Sequence, residues 1–322
     1  LKRIEELLGY EVAGDPMTGL RWTRKTTRRL AEWLTANGKP VSATTVAKLL
    51  RKMKFALRTN RKRIESGGRK KVKAKDRDRQ FKYIARMRRR FSREGLPVLS
   101  LDAKKRELIG PFMNPGRTWA RKNRDVYDHD FPSDAKGVGI PHCIYDTLRN
   151  KGSVCISTTA ETPALAVDHL RRWWRTEGRK AYPNAKELLI LADCGGSNAA
   201  RSRVFKWRLH HLLCVPYGIK VSLCHYPPGA SKWNPIEHRL NCHIQSNWAG
   251  RPLDSHEVML KYCRKTKTTT GLRVNAHMAS KLYRKGERIS NKQMNALPIE
   301  RKYTFPQWNY SILPHGSKQK KM

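Results

Sequence analysis

Three carboxylates stand where the chain changes from one element to the next. Asp102 ends the run Val98-Leu99-Ser100-Leu101, Asp193 ends Leu188-Leu189-Ile190-Leu191-Ala192, and Glu237 follows Asn234-Pro235-Ile236. Both runs read as strands, and the second, apolar throughout, reads as a central strand covered on both faces. Ile219, Val221 and Leu223 alternate with Lys220, Ser222 and Cys224 to give a further strand, ended by Pro227-Pro228-Gly229. A helix then begins, with Asn234 as N-cap, Pro235 at the first position and Ile236, Leu240, Ile244 and Trp248 as its apolar stripe. Two readings of Glu237 are open at this point: a capping box reaching back to Asn234, or a carboxylate aimed into a cleft.

In a mixed α/β sheet, strand ends and the helix starts that follow them gather at one edge. Three carboxylates at such an edge repel one another unless a cation neutralises them. Oxygen donors at a partly open site suit Mg²⁺ or Mn²⁺. Such ions activate a water or a 3′-hydroxyl and stabilise the leaving oxygen of a phosphodiester. Each acid also has a local reading: Asp102 supports the turn after it, and Asp193 caps the loop Cys194-Gly195-Gly196-Ser197-Asn198.

Charge points to the partner. The 322 residues hold 68 Lys and Arg against 26 Asp and Glu, a net charge of +42. That excess exceeds what solubility needs and implies a polyanion, with nucleic acid ahead of an anionic membrane surface. No apolar run is long enough to span a bilayer, and no secretory leader opens the chain. The chain starts at Leu1 without an initiator Met and is expected to be a piece of a longer protein. Seven Cys with no Cys-x-x-Cys pair fit reduced structural thiols and a cytoplasmic setting. Cys224, His225, His238 and Cys242 are a minor zinc alternative.

The positioning elements are expected in four blocks. Residues 1–58 read as a helix-turn-helix-like DNA-binding region. Thr23 caps a helix with Leu30, Ala31, Trp33 and Leu34; Asn37-Gly38-Lys39-Pro40 breaks it; Ser42 caps a second helix with Val46, Leu49, Leu50 and Met53 on one face. Thr44, Thr45 and Lys48 are the groove-facing candidates, with Arg51 and Lys52 beside them. Residues 59–96 are a basic linker and helix. From Lys48 to Arg93 there are 21 Lys or Arg and 3 Asp or Glu. Arg61, Lys62, Arg63, Lys70, Lys71 and Lys73 are expected on DNA, where counterion release rewards the density.

Residues 97–250 are the expected α/β catalytic core. Val98–Asp102 is taken to form a hairpin with Glu107–Gly110, and residues 111–150 to be irregular. Within that stretch Asp128-His129-Asp130 reads as a polar loop, with a second metal site as the alternative. Ser153–Ser157 is a strand, and Thr162 caps a helix containing Leu165, Ala166, His169, Leu170 and Trp173. Trp173 and Trp174 are expected as core and surface aromatics. Gly195, Gly196 and Ser197 allow either a phosphate-binding turn or a plain tight turn. Lys232 and His238 flank Glu237 and are expected to touch DNA. Residues 251–322 are a C-terminal flanking region, with a helix from Ser255 to about Lys265 and a basic tail at Lys318–Lys321.

These stretches resemble a known family. Leu20-Arg21-Trp22-Thr23, Val98–Lys105, Asp128–Pro132, Leu191–Asn198 and Pro227–Arg239 are similar to the Rhodopirellula-type insertion-sequence transposases of the Asp-Asp-Glu superfamily. The Asn-Pro-Ile-Glu of residues 234–237 also looks like the third-acid motif of mariner-like transposases. The resemblance spans about residues 20–312, although Cys194 stands where a smaller residue is expected. It implies an RNase H-like catalytic fold and DNA strand transfer in a prokaryotic, DNA-associated setting. Asp102, Asp193 and Glu237 would be the catalytic acids and the ligands of Mg²⁺ or Mn²⁺. Element ends and target DNA would be the partners, with a homo-oligomer assembled on them. An RNase H-like nuclease that cuts without joining, or a DNA-binding protein with a decayed site, are the alternatives.

Overall fold

The structure, a computed structural model, describes residues 13–14, 21–22, 26–57 and 72–315. The chain forms two compact units, Leu1–Gly67 and Gly68–Met322. In the first, β1 (Ala13–Gly14) pairs antiparallel with β2 (Arg21–Trp22). The Thr26 hydroxyl caps α1 (Thr27–Ala36), while the expected cap Thr23 lies outside the described residues. The Ser42 hydroxyl caps α2 (Ala43–Lys52) by accepting from the Thr45 N–H. Leu30, Ala31, Leu34 and Val46 are buried between the two helices, and Leu49, Leu50 and Met53 pack against them. Thr44, Thr45, Lys48, Arg51 and Lys52 remain exposed.

The second unit is built on one large sheet. Its central strands are β3 (Val98–Ala103), β5 (Gly137–Asp146), β6 (Lys151–Ser157), β7 (Glu187–Ala192) and β8 (Lys220–His225). Across the sheet they run β6-β5-β3-β7-β8, so the third comes first, then the second, first, fourth and fifth. Only β5 opposes the others, since β3, β7 and β8 are parallel and β5 is antiparallel to both β3 and β6. That order and sense is the RNase H-like arrangement. Strands from the C-terminal residues widen it at both edges. β9 (Arg273–Met278) joins β6, and β11 (Asn309–Ile312) joins β8 with β10 (Ile299–Arg301) outside it.

Two local expectations change. β4 (Glu107–Ile109) does not return along β3; it pairs with β5. The hairpin has no edge to use, because β3 is hydrogen-bonded to β5 on one side and β7 on the other. The stretch taken as irregular contains β5, a ten-residue strand buried over most of its length. Gly137, Gly139 and Pro141 give it the punctuation of a loop, and its pairing with distant β3 on one side and neighbouring β6 on the other overrides that.

Helices cover both faces of the sheet. Leu99, Leu101, Leu188, Ile190, Ala192, Val221 and Leu223 pack in one cluster with α4 (Pro163–Trp173) and α5 (Arg203–Leu209). Val98, Leu189, Leu191 and Cys224 pack on the other face with Tyr83, Ile84 and Phe91 of α3 (Ala74–Arg93). Beside α3 on that face, Cys143, Tyr145, Val154 and Ile156 pack against Ile236, Leu240, Ile244 and Trp248. Ile236 directly precedes a widened π turn, Glu237–Asn241, which carries Leu240 and runs into α6 (Cys242–Trp248); α7 (His256–Lys265) adds Met259 and Cys263. Strand alternation puts Asp102 on this second face with Val98 and Ser100.

Gly152 of β6 sets how closely the Glu237 helix sits on the sheet. A Cβ there would lie 2.6 Å from Leu240 Cδ1 and 3.1 Å from Val274 Cγ2. Gly152→Val is therefore expected to push the helix outward and cost about 1–3 kcal/mol. A denaturant midpoint unchanged from the parent chain would contradict that packing.

Candidate active site

The site is assembled from three elements that meet at two amide side chains. Asp102 is on β3, Asp193 directly follows β7, and Glu237 opens the π turn. Asn234 is at the helix start, as the sequence implies, but its side chain does not cap the helix. Its Nδ2 donates to the Leu101 carbonyl at 3.1 Å and to Asp193 Oδ1 at 3.2 Å. Its Oδ1 accepts from the Ser100 hydroxyl, and Ser100 Oγ in turn accepts the Ile236 N–H at 3.2 Å. Ser100 thus caps the helix that Asn234 was expected to cap. The Asn241 Nδ2 donates to Asp102 Oδ2 at 2.9 Å and reaches Glu237 Oε2 at 3.5 Å. The Asn234 N–H donates to the Ser231 carbonyl at 2.8 Å and not to Glu237, so the capping-box reading of Glu237 is not what the structure adopts.

The carboxyls lie close enough to shift one another. Burial, then the Glu237 and Asp193 carboxylates, push Asp102 up to about 8, against the Ala103 backbone and Asn241 bonds that lower it. Burial raises Asp193 to about 6, with Asn234 opposing and Glu237 adding. Among the described residues no three His, Cys, Asp or Glu side chains close into a metal cage. The carboxylates stay an open set, as like charges in a half-buried site do when separate amides hold them. The donor chemistry of the set is nonetheless of the kind a divalent cation takes. Its donors are anionic oxygens, two of them raised by burial and mutual repulsion, and the buried Asn241 Oδ1 has no partner.

Other residues singled out from the sequence fall around this centre or away from it. Lys232 and His238 are exposed beside Glu237; His238 Nε2 donates to the Lys232 carbonyl at 2.6 Å, and the Lys232 ammonium lies 5.4 Å from the Trp233 ring centroid. Lys73 is exposed at the start of α3, whereas Arg61, Lys62, Arg63, Lys70, Lys71 and the Lys318–Lys321 tail lie outside the described residues. The glycine loop is a plain tight turn, because the Ser197 N–H is already spent on Glu161 Oε1 at 2.8 Å. The helix beyond it begins at Arg203, capped by Ser202. The zinc alternative finds no shared centre. His225 is tied to the Asp193 carbonyl and Tyr310, His238 to Lys232, and Cys242 is exposed while Cys224 is buried. Asp128 and His129 pair at 3.1 Å in an exposed loop. Trp173 and Trp174 are both core, at 2% and 5% exposure.

Sequence reasoning missed the supports. Asn241 had a signal, since it sits four residues after Glu237 on the same helical face. Ser100 had one too, lying two residues before Asp102 on the same strand face. His225, whose Nδ1 donates to the Asp193 carbonyl at 3.1 Å, had none beyond ending its strand.

The family model for the Rhodopirellula transposase DDE domain matches residues 3–314. The chain belongs to that transposase family. No curated protein matches it in sequence. Among solved structures, a Mos1 transposase paired-end complex with the left transposon end is similar at 16% identity and a TM-score of 0.43, over 81% of this chain and 68% of that one. The Mos1 mariner paired-end complex with Mn is similar at 17% and 0.42, over 74% and 65%. The Mos1 catalytic domain is similar at 13% and 0.38, over 60% and 81%. The strand order, not this likeness, carries the fold of the transposase chain. Among its described residues no helix is long and apolar enough to cross a membrane.

The raised carboxyl of Asp102 gives a pH test. Its folded-state pKa lies above the unfolded value, so its contribution to stability is full below about pH 4 and is lost as pH rises through about 8. In EDTA, Asp102→Asn is expected to melt above the parent at alkaline pH, with the gap closing towards about pH 4. A gap that stays constant across that range would show that Asp102 is not raised.

Proposed function

We propose that this chain is the DNA transposase of an insertion sequence, cutting element ends and joining the freed 3′-hydroxyls to target DNA. The observation that carries this reading is the convergence of Asp102, Asp193 and Glu237, from three separate elements, through Asn234 and Asn241. Family membership supplies the reaction class, and the +42 charge supplies the reason a polyanionic substrate would come to an acidic centre.

Asp102, Asp193 and Glu237 would hold Mg²⁺ or Mn²⁺. Bound there, such ions supply Lewis-acid stabilisation and activation of a water or hydroxyl. The chain's own groups do the positioning. Asn234 fixes the Asp193 carboxylate against β3, and Asn241 keeps Asp102 and Glu237 facing one another. The rigid strands beneath them limit the motion of each carboxylate, which phosphoryl transfer needs more than it needs a protein nucleophile. Lys232 and His238, exposed near Glu237, would meet phosphates there. In the first unit, exposed Thr44, Thr45, Lys48, Arg51 and Lys52 on α2 would contact DNA, as would the basic segment with Arg61, Lys62, Arg63, Lys70, Lys71 and Lys73. Paired ends would be held by a homo-oligomer, as the family's chemistry on two ends requires.

Labelled element-end DNA incubated with Mg²⁺ tests the reading. The parent chain should give cleaved and joined products. Asn241→Ala should lose about 10–100-fold, the range for a residue that only supports a ligand, and Asp193→Asn should lose more. Cleavage without joining would move the assignment to a nuclease. Salt-sensitive binding with no metal-dependent product would leave a DNA-binding protein.

A further inference from the structure

The outer face of α3 carries a continuous stripe of basic side chains away from the carboxylates. Lys75, Arg79, Lys82, Arg86, Arg89 and Arg93 are all exposed, and their spacings of four and three put them on one side of the helix. Gln80, Tyr83, Ile84 and Phe91 on its other side are buried against the sheet. Within Ala74–Arg93 there are nine Lys or Arg and two Asp. Like charges three and four residues apart each cost such a helix about 0.2–0.5 kcal/mol in water. The local relief is small. Lys82 pairs with the exposed Asp78 at 2.7 Å, and Arg79 and Arg86 lie 5.5 Å and 5.2 Å from the Phe305 and Tyr83 ring centroids. Near the far end, Arg86, Met87, Arg89, Arg90 and Arg93 line an open hollow of about 650 Å³.

The direction of α3 ties this stripe to the carboxylates. Near its start, Gln80 Nε2 donates to the carbonyl of His225, the residue that ends β8 and holds the Asp193 backbone. Phe81 packs edge-on against Trp233, 6.0 Å between centroids and four residues before Glu237. Near its end, Arg90 pairs at 2.7 Å with Glu187, the first residue of β7. The helix therefore runs from the carboxylate edge of the sheet to the opposite edge, on the face that Asp102 shares. Trp233, 61% exposed, stands at the near end.

We propose that the outer face of α3 is a track for the phosphate backbone of a DNA duplex, which it leads to the carboxylate edge. This rests on the transposase reading for the identity of the polyanion. The stripe is about 27 Å long, roughly eight base pairs of B-DNA. Its charges follow one straight line, which suits a duplex backbone better than an acidic peptide or a compact anion.

The test is duplex binding by the full chain in EDTA, followed by anisotropy over a range of salt. Arg86→Gln, Arg89→Gln and Arg93→Gln together should reduce the slope of log K against log salt by about two to three, since each lost phosphate contact removes roughly 0.9. Arg171→Gln, Arg172→Gln and Arg175→Gln together make the same change in charge behind the other face of the sheet and should leave the slope near the parent's. Melting curves confirm that both triples fold, and single Gln variants at 86 and 89 repeat the reading if either does not. An equal fall in both triples, or no fall in the α3 triple, overturns the track. Because no metal is present, the two readings fail separately. A slope change without DNA chemistry in Mg²⁺ keeps the track and removes the transposase; normal chemistry without a slope change does the reverse.

Discussion

The carboxamide of Asn234 is the joint on which the centre depends. It is fully buried, and it joins β3 and the end of β7 through three bonding partners, Ser100, Leu101 and Asp193, with Ser100 passing the link on to the Ile236 N–H at the start of the Glu237 helix. A buried amide left half-satisfied is costly, so the bonds hold as a set or fail as a set. This lets residues more than a hundred positions apart in the chain keep fixed relative places. Pro235 adds to the constraint by fixing the backbone next to that amide. Ser100 completes it by serving two partners at once, one in the hub and one at the helix start.

The second constraint is electrostatic. A chain of net charge +42 keeps three acids together at one sheet edge, two of them raised by burial and by their neighbours. Elsewhere several of its carboxylates answer to cations, as Glu187 does with Arg90 and Lys220, and Glu287 with Arg208. At the candidate site they answer to amides, which orient a carboxylate without neutralising it. That leaves negative charge available for a cation, at a cost to folding that the surrounding sheet absorbs.

Much of this was legible in the sequence, for physical reasons that differ by element. β7 was readable because a strand covered on both faces is apolar at every position, and Leu188–Ala192 is. Thr162, Ser255 and Ser42 were readable as caps because a hydroxyl before an apolar stripe has few other uses. β5 was not readable, because its long-range pairing with β3 outweighs the local signals of Gly137, Gly139 and Pro141. The β3–β4 hairpin failed for the same reason from the other side: local economy favoured it, and distant strands had already taken both edges. The three acids could be selected from strand ends and helix starts together with the family resemblance. The amides that organise them could not, since Asn before Pro fits a helix cap equally well and only the neighbouring strand decides between the two.

The most direct test of the central claim is a crystal structure of the full chain grown with Mn²⁺, with anomalous scattering recorded near the manganese edge. Anomalous peaks are expected between the carboxylates of Asp102, Asp193 and Glu237, with Asn234 still bonded to Asp193, and those peaks should be lost in Asp193→Asn. Well-ordered carboxylates with no anomalous density between them, or manganese held only elsewhere, would contradict that claim.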